Sequence, residues 1–300
     1  MCGIAGIIGA VNKASGEASL IKMLNVIQHR GPDSNGLWAT DGFAFGMQRL
    51  SIIDLVGGDQ PIWTNCGVGI VFNGEIYNFS VLRELLKKEG VIFETHSDTE
   101  VILQLYLQKG IKAIYDLEGM FAICIYDPRI EKVYLIRDRL GVKPLYYYHD
   151  LDSNNLMFGS EIKSIKALTQ NLEVNDQAVW HYLTLRYVPA PETIWNNIYK
   201  LEPGHYLEYD LKHKKFTIEK YWSVDFRSEK IQKNRNYEKE FESIFLGAVE
   251  KRLLASDVPV GILLSGGLDS SCVAAAAAEL GHKNFHTFSI GFEDGGEFSE

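Results

Sequence analysis

The chain begins with Met1-Cys2-Gly3-Ile4-Ala5-Gly6-Ile7-Ile8-Gly9. The apolar run after Cys2 is typical of a buried strand, which would hold the Cys2 thiol at a strand end. Removal of Met1 would put that thiol and a free α-amine on one residue, and an α-amine with a pKa of about 7.7–8.0 can accept a proton at cellular pH. A nucleophile activated in this way is a known catalytic arrangement. Taken alone, Cys2 fits better as a small residue at a frayed terminus, so the rest of the chain must decide.

Composition places the chain among ordinary globular proteins of one large domain or two. It has 300 residues, of which 46% are hydrophobic and 23% charged, and its net charge is −9. That charge argues against a nucleic-acid partner or a membrane surface. No apolar run is long enough to span a membrane, and no basic start indicates a signal peptide. The four cysteines lack metal-ligand spacing and favour a reducing cytoplasm: Cys2, Cys66, Cys124 and Cys272.

Hydrophobic periodicity predicts a mixed α and β region up to about residue 222. The Asn73-Gly74 pair follows an apolar run, so on its own it indicates a hairpin turn. Asp98 follows Ser97 at a helix start and is most simply a cap. The pattern predicts helices over 19–28, 80–89, 98–109, 161–168 and 176–186, and strands over 3–8, 42–53, 67–72, 120–126, 132–137 and 157–160, with two more between 205 and 222.

The composition changes at residues 223–236, a polar and charged stretch that we interpret as a linker. A helix over about 241–253 follows, and then residues 258–264 form an apolar run typical of a parallel strand covered on both faces. The sequence continues with a Gly loop, an Ala-rich helix over 271–280 and a strand over 285–292. Strand, helix and strand in this order predict a right-handed crossover unit.

The loop Ser265-Gly266-Gly267-Leu268-Asp269-Ser270-Ser271 has the features of an anion site. Loop amides and a helix N-terminus would point at the ligand, and the two glycines would let the backbone approach a phosphate. It is not the common P-loop, because no lysine follows the glycines in the required place. The Ser265 and Ser270 hydroxyls would contact phosphate oxygens, and Asp269 would hold Mg²⁺. The alternative for Asp269 and Ser270 is helix capping, which needs only one of them.

Taken together, these motifs resemble the glutamine-dependent asparagine synthetases over nearly the whole chain. The N-terminal part looks like a class II glutaminase domain through residues 2–6, 29–33, 49–52, 72–78 and 97–98, and residues 265–271 look like an ATP pyrophosphatase loop. The resemblance implies an αββα sandwich of antiparallel sheets of the N-terminal-nucleophile hydrolase type over residues 2–222. After the linker, it implies the start of an α/β parallel-sheet nucleotide-binding domain over residues 237–300.

The resemblance also assigns roles around Cys2, which would attack the side-chain amide of glutamine. The Asn73 side chain and the Gly74 N–H would hold the oxyanion, Arg49 would bind the α-carboxylate, and Glu75 and Asp98 would bind the α-ammonium. The competing interpretations are a surface position for Arg49, a hairpin at Asn73-Gly74 and a cap at Asp98. All these residues match the family's motifs together, which argues against the competing interpretations. The implied glutamine-binding residues are Arg49, Leu50, Ser51, Ile52, Ile53, Asn73, Gly74, Glu75 and Asp98.

In the family, the released ammonia displaces AMP from an aspartate that ATP has adenylated, giving asparagine. The implied ATP contacts are Leu264, Ser265, Gly266, Gly267, Asp269, Ser270 and Ile290, with Mg²⁺ at Asp269. A homodimer is left open. The family's C-terminal domain continues well past Glu300, so we expect a truncated chain with glutaminase activity alone. Two alternatives remain: a related amidotransferase that aminates another carboxylate, and a catalytically idle glutamine-binding remnant.

Overall fold

The computed structural model describes residues 1–9, 11–150, 155–226, 235–282 and 285–291. By internal packing the chain divides into two compact units, residues 1–224 and residues 225–300. The predicted linker over 223–236 spans this division, and its residues 227–234 lie outside the described part. Within the described part, no helix is both long and apolar enough to cross a membrane.

The first unit contains two six-stranded sheets in which neighbouring strands are antiparallel. The first sheet has the order β10-β8-β9-β1-β3-β2 and the second has the order β12-β11-β7-β6-β5-β4. The strands are β1 Gly3–Ile8, β2 Ser34–Thr40, β3 Phe43–Arg49, β4 Ile62–Trp63, β5 Gly69–Ile76, β6 Gly119–Asp127, β7 Lys132–Arg137, β8 Tyr146–His149, β9 Leu156–Gly159, β10 Ile198–Lys200, β11 His205–Asp210 and β12 Lys215–Lys220.

Helices cover the outer faces of both sheets. One core cluster joins the first sheet to α1, a second joins the second sheet to α2 and α3, and a third, with side chains from both sheets, lies between them. The layers therefore run helix, sheet, sheet, helix, which confirms the predicted αββα sandwich. The helices of this unit are α1 Lys13–Asn25, α2 Phe79–Lys88, α3 Asp98–Lys109, α4 Ile162–Lys166 and α5 Asp176–Leu185.

Strand β1 is apolar throughout because it is buried on both faces. Ile4 and Ile8 point into the cluster between the sheets, whereas Ala5 and Ile7 contact the α1 side. The alternation follows the two-residue period of a strand. With β3 on one edge and β9 on the other, β1 is held centrally. The predicted placement of Cys2 directly before a buried strand is confirmed.

The elements of this unit differ from the predicted ones in four respects. Helix α1 spans Lys13–Asn25 rather than 19–28, because Asn12 and Ser15 form a capping box that starts it early. The Asn73-Gly74 pair lies inside β5, fully paired with β6, and not in a hairpin turn. Asp98 is the first residue of α3, but the capping side chain is that of Ser97. Strands β2, β4, β8 and β10 were not predicted.

The second unit is a small parallel arrangement, formed by α6 Tyr237–Leu254, β13 Gly261–Leu263, α7 Leu268–Glu279 and β14 His286–Phe288. β13 and β14 pair in parallel, as the crossover pattern predicts. The predicted cover on both faces of β13 is wrong, since Leu263 is 78% exposed although Ile262 is buried. Apolar side chains of α6 are also uncovered, since Phe241 and Ile244 are exposed. The predicted strand end at residue 292 lies outside the described residues.

Candidate active site

Cys2 lies next to the end of β3, in a partly buried position. The Leu50 N–H donates to Cys2 Sγ at 3.4 Å, and Sγ lies 3.5 Å from the Leu50 carbonyl oxygen. Burial raises the pKa of the Cys2 thiol, while the Leu50 contact, the neighbouring amine and Lys143 act in the opposite direction. Because burial favours the neutral thiol, a nearby base is needed to take its proton.

Around Cys2 the fold gathers side chains from widely separated parts of the sequence into one pocket. β3 and the segment after it, β5, the start of α3 and the segment after β7 all contribute. Of the predicted glutamine set, only Ser51 is outside the lining, and its backbone N–H donates to Asp33 Oδ2. The pocket is lined by Met1, Cys2, Arg49, Leu50, Ile52, Ile53, Gly58, Gln60, Phe72, Asn73, Gly74, Glu75, Ser97, Asp98, Thr99 and Lys143.

Arg49 ends β3 and is buried, so the alternative of a surface arginine is wrong. Its Nη1 donates to Asp59 Oδ1 at 2.8 Å, and its Nη2 donates to the carbonyl oxygens of Ile53 at 3.2 Å and Asp54 at 2.6 Å. These bonds use three of the five guanidinium donors and fix the fork in place. The remaining N–H donors of this fixed guanidinium, at a pocket wall, suit binding of a carboxylate.

Two carboxylates occupy the same pocket. Burial, together with the neighbouring Glu75 charge, raises the pKa of Asp98 to about 7, although the Ile76 N–H donates to Asp98 Oδ2 at 3.0 Å. Burial also raises the pKa of Glu75, against the effect of Lys143. A cation bound between the two carboxylates would relieve both effects. The pair therefore suits an ammonium group.

Asn73 and Gly74 lie next to each other in β5. Asn73 is completely buried, and its Nδ2 lies 3.5 Å from the Ser160 hydroxyl oxygen. Its Oδ1 is buried without a hydrogen-bond partner among the described residues. Gly74 allows close strand packing, because an added Cβ would collide with the Met120 carbonyl oxygen. A side-chain amide and a backbone N–H beside a thiol make a suitable pair of donors for an oxyanion.

Sequence reasoning missed Lys143, which lines the pocket and is 4% exposed. Burial lowers the pKa of its ammonium group, while Glu75 and Cys2 favour the charged form. Asp138 holds the preceding loop by accepting from the N–H groups of Leu140, Val142 and Lys143. The run of charged and aromatic residues over 138–147 stands out in the sequence. Its pattern, however, does not indicate that Lys143 lies near Cys2, which is far away along the chain.

In the second unit, the predicted phosphate loop lies between β13 and α7. Ser270 Oγ accepts from the Ser265 N–H at 3.3 Å and donates to the Gly267 carbonyl at 3.1 Å. Gly266 has a φ of +90°, a conformation that glycine adopts without strain. Gly267 occupies the cap position without a side-chain hydrogen bond, so neither Asp269 nor Ser270 caps α7.

The remaining predicted nucleotide contacts lie at the same edge of the small sheet. Leu264 follows β13 and Ile290 lies two residues after β14, and the Leu264 N–H donates to the Phe288 carbonyl at 2.9 Å. Ligands of open α/β sheets bind outside the carboxyl ends of the strands. The donor set for Mg²⁺ is small: Asp269 is exposed, and the described residues contain no group of three potential ligands. A magnesium ion there would need phosphate and water ligands.

A two-sheet sandwich with Cys2 before a central strand and an adjoining polar pocket is the fold class of the N-terminal-nucleophile hydrolases. The model of the glutamine amidotransferase domain family matches residues 1–222, and an asparagine synthase model matches residues 240–300. The chain therefore belongs to the glutamine amidotransferase domain family.

Curated relatives match along the whole chain but extend beyond it. Asparagine synthetase [glutamine-hydrolyzing] 1 of Bacillus subtilis is 37% identical over 305 residues, which cover 100% of this chain and 47% of that protein. A putative asparagine synthetase [glutamine-hydrolyzing] 2 of Methanocaldococcus jannaschii is 38% identical and is covered to 61%. The chain thus spans about half the length of these relatives.

Among solved structures, a similar fold occurs in the glutamine phosphoribosylpyrophosphate amidotransferase of B. subtilis. That structure matches 99% of this chain and 68% of its own length, with a TM-score of 0.56 at 17% sequence identity. At this identity the match supports the fold alone, which agrees with the antiparallel sandwich described above.

Proposed function

We propose that the first unit hydrolyses glutamine at Cys2. With Met1 removed, the Cys2 α-amine accepts the thiol proton as sulfur attacks the side-chain carbonyl carbon of glutamine. The Asn73 amide and the Gly74 N–H stabilise the resulting oxyanion, which is the largest electrostatic contribution in many acyl transfers. The amine then donates the proton to the departing ammonia, and water hydrolyses the Cys2 thioester to release glutamate.

One observation carries this proposal: a single pocket brings together the thiol, Arg49, the Asn73-Gly74 pair and the two carboxylates. Glutamine has one α-carboxylate, one α-ammonium and one amide, and each finds a partner of suitable chemistry here. Arg49 binds the carboxylate, and Glu75 and Asp98 bind the ammonium. Leu50, Ile52 and Ile53 line the pocket, and Ser51, in the same segment, is outside the lining.

For the whole protein we propose the activity that the names of its relatives give, that of a glutamine-hydrolysing asparagine synthetase. Ammonia from the first unit would reach aspartate activated by ATP. The loop from Leu264 to Ser270 and Ile290 would contact the nucleotide, and Asp269 would hold Mg²⁺ together with phosphate oxygens. Amination of another carboxylate is the alternative. A homodimer and a cytoplasmic location also remain proposals from the sequence.

The test measures glutamate release from glutamine by the wild-type chain and by Cys2→Ala, with Cys66→Ala as the control because Cys66 is an exposed thiol away from the pocket. Cys2→Ala should abolish glutamate release, and Cys66→Ala should leave it unchanged. Intact mass should show that the active protein lacks Met1. Full turnover by protein that retains Met1, or by Cys2→Ala, would refute the mechanism.

A further inference from the structure

Ser160 is a fully buried residue that the proposed mechanism does not use. It follows β9 directly and extends the pairing of that strand with β1. The Ser160 N–H donates to the Ile4 carbonyl at 2.9 Å, and the Ile4 N–H donates to Ser160 Oγ at 2.9 Å. Ser160 is therefore fixed to the backbone two residues after Cys2.

The same hydroxyl also faces the second sheet, because Asn73 Nδ2 of β5 lies 3.5 Å from Ser160 Oγ. Ser160 thus touches both the strand that carries the nucleophile and the side chain that carries the oxyanion donor. On the other side of that amide, Asn73 Oδ1 is buried and has no hydrogen-bond partner within the described part of the chain. A buried acceptor without a partner is costly in a folded protein.

The hydrogen-bond capacity of Ser160 can supply the missing partner of Asn73 Oδ1. A serine hydroxyl has one donor proton and two acceptor lone pairs. Both contacts above use lone pairs, so the hydroxyl proton is left to donate. Rotation of the Asn73 amide by about half a turn exchanges Oδ1 and Nδ2, which differ little in shape. Ser160 can then donate to Oδ1, and Nδ2 takes the buried position that Oδ1 holds now, within a residue that lines the pocket.

We propose that Ser160 is the positioning residue of the oxyanion site: its hydroxyl donates to Asn73 Oδ1 and directs Nδ2 at the carbonyl oxygen of the substrate. This inference rests on the proposed glutaminase function. Because the same oxygen accepts from Ile4, the hydroxyl also keeps the oxyanion donor in register with the nucleophile strand. The two catalytic groups come from different sheets, and Ser160 is a direct polar link between those sheets.

The first experiment compares Ser160→Ala with the wild-type 300-residue chain. We expect kcat for glutamate release to fall by about tenfold or more, less than the roughly 10²–10³-fold loss for deletion of an oxyanion donor, because Asn73 remains but is free to rotate. KM for glutamine should be unchanged, since Ser160 does not line the pocket. Ser164→Ala is the matched control: its buried hydroxyl donates to the Glu161 carbonyl and should not affect kcat.

A second readout separates positioning from damage to the nucleophile. Alkylation of Cys2 by iodoacetamide displaces iodide from a saturated carbon and creates no oxyanion. Its rate, followed by mass spectrometry on the Cys2 peptide, should therefore be the same in Ser160→Ala and wild type. Slower alkylation in Ser160→Ala would mean that Ser160 acts on β1 instead, and would overturn the proposal. If Ser160→Ala does not fold, Ser160→Cys, a poorer donor of similar size, replaces it.

The third measurement is a double-mutant cycle with Asn73→Ala. Because Ser160 acts through Asn73, adding Ser160→Ala to Asn73→Ala should not lower kcat further, and Ser160→Thr alone should keep most of the wild-type rate. Independent, multiplying losses would overturn the proposal. If Cys2→Ala releases glutamate as fast as wild type, the glutaminase function itself fails, which is a different outcome from a Ser160 effect that is merely absent.

Discussion

Asp98 illustrates a cost that a binding site imposes on the folded state. Its carboxyl is 4% exposed, and burial raises its pKa to about 7, so the folded chain retains a proton that the unfolded chain has already lost. Since the folded state binds more protons between the two pKa values, its stability falls as pH rises from about 4 to about 7. The charge needed to bind an ammonium group therefore opposes folding when the pocket is empty.

The variant Asp98→Asn tests this cost. Asparagine keeps an oxygen that can accept from the Ile76 N–H but never carries a charge. We expect Asp98→Asn to unfold at a higher temperature than wild type at about pH 8, with a smaller difference at about pH 5, while it binds glutamine more weakly. The surface change Glu84→Gln is the control, because Lys87 lowers the pKa of that carboxyl and its effect should have the opposite sign. A pH-independent difference would contradict the argument.

Lys143 is the second residue whose charge we expect to matter. Its ammonium favours the Cys2 thiolate and the Glu75 carboxylate, while burial disfavours all three charges. Lys143→Met should slow alkylation of Cys2 several-fold at neutral pH and move the rise of its pH profile to higher pH. Lys87→Met, on the exposed face of α2, serves as the control. An unchanged pH profile in Lys143→Met would show that Lys143 does not influence the thiol.

At the scale of elements, β5 shows how far sequence patterns reach. The apolar run before Asn73 predicted a strand correctly, but the turn preference of Asn-Gly placed its end at residue 72, whereas β5 ends at Ile76. A local turn preference takes no account of pairing with the partner strand β6. All eight residues of β5 pair with β6, so tertiary pairing overrides that preference. Similarly, Cys2 and Arg49 were predicted as site residues, whereas Lys143 and Ser160 required the fold to bring them near Cys2.

Gly74 gives the corresponding prediction. An added Cβ there would collide with the Met120 carbonyl oxygen and lie 2.7 Å from Phe121 Cα, both backbone atoms that cannot move aside cheaply. Gly74→Ala should therefore reduce the free energy of unfolding by about 1–3 kcal/mol. It should also lower glutaminase kcat by displacing the oxyanion donor.

The matched control for Gly74→Ala is Gly16→Ala in α1. A Cβ at Gly16 would meet the Ala44 methyl at an ordinary 3.4 Å, and alanine favours a helix. The urea concentration at the midpoint of unfolding should therefore fall for Gly74→Ala and should rise or stay unchanged for Gly16→Ala. Equal destabilisation by both substitutions would contradict the close-packing argument for β5.

At the scale of the whole molecule, the two units differ in how completely they bury their apolar surface. The first has three clusters of buried side chains around two six-stranded sheets. The second has one small cluster, and Leu263, Phe288 and Ile290 are 59–88% exposed. A parallel sheet is normally covered on both faces, so the two described strands of the second unit form an incomplete layer. Exposed apolar edges of this kind promote aggregation.

We therefore expect residues 1–224 alone to fold, to remain more soluble than the 300-residue chain, and to release glutamate from glutamine. The 300-residue chain should also release glutamate. It should not release pyrophosphate from ATP with aspartate, because the sheet edge proposed to bind the nucleotide has only two strands and one loop in the described part. Both proteins are assayed for both products, with Cys2→Ala as the background. Pyrophosphate release by the 300-residue chain would mean that its nucleotide site is sufficient as it stands. Loss of glutamate release from residues 1–224 would mean that the second unit supports the sandwich, since the glutamine pocket itself is built entirely from residues 1–143.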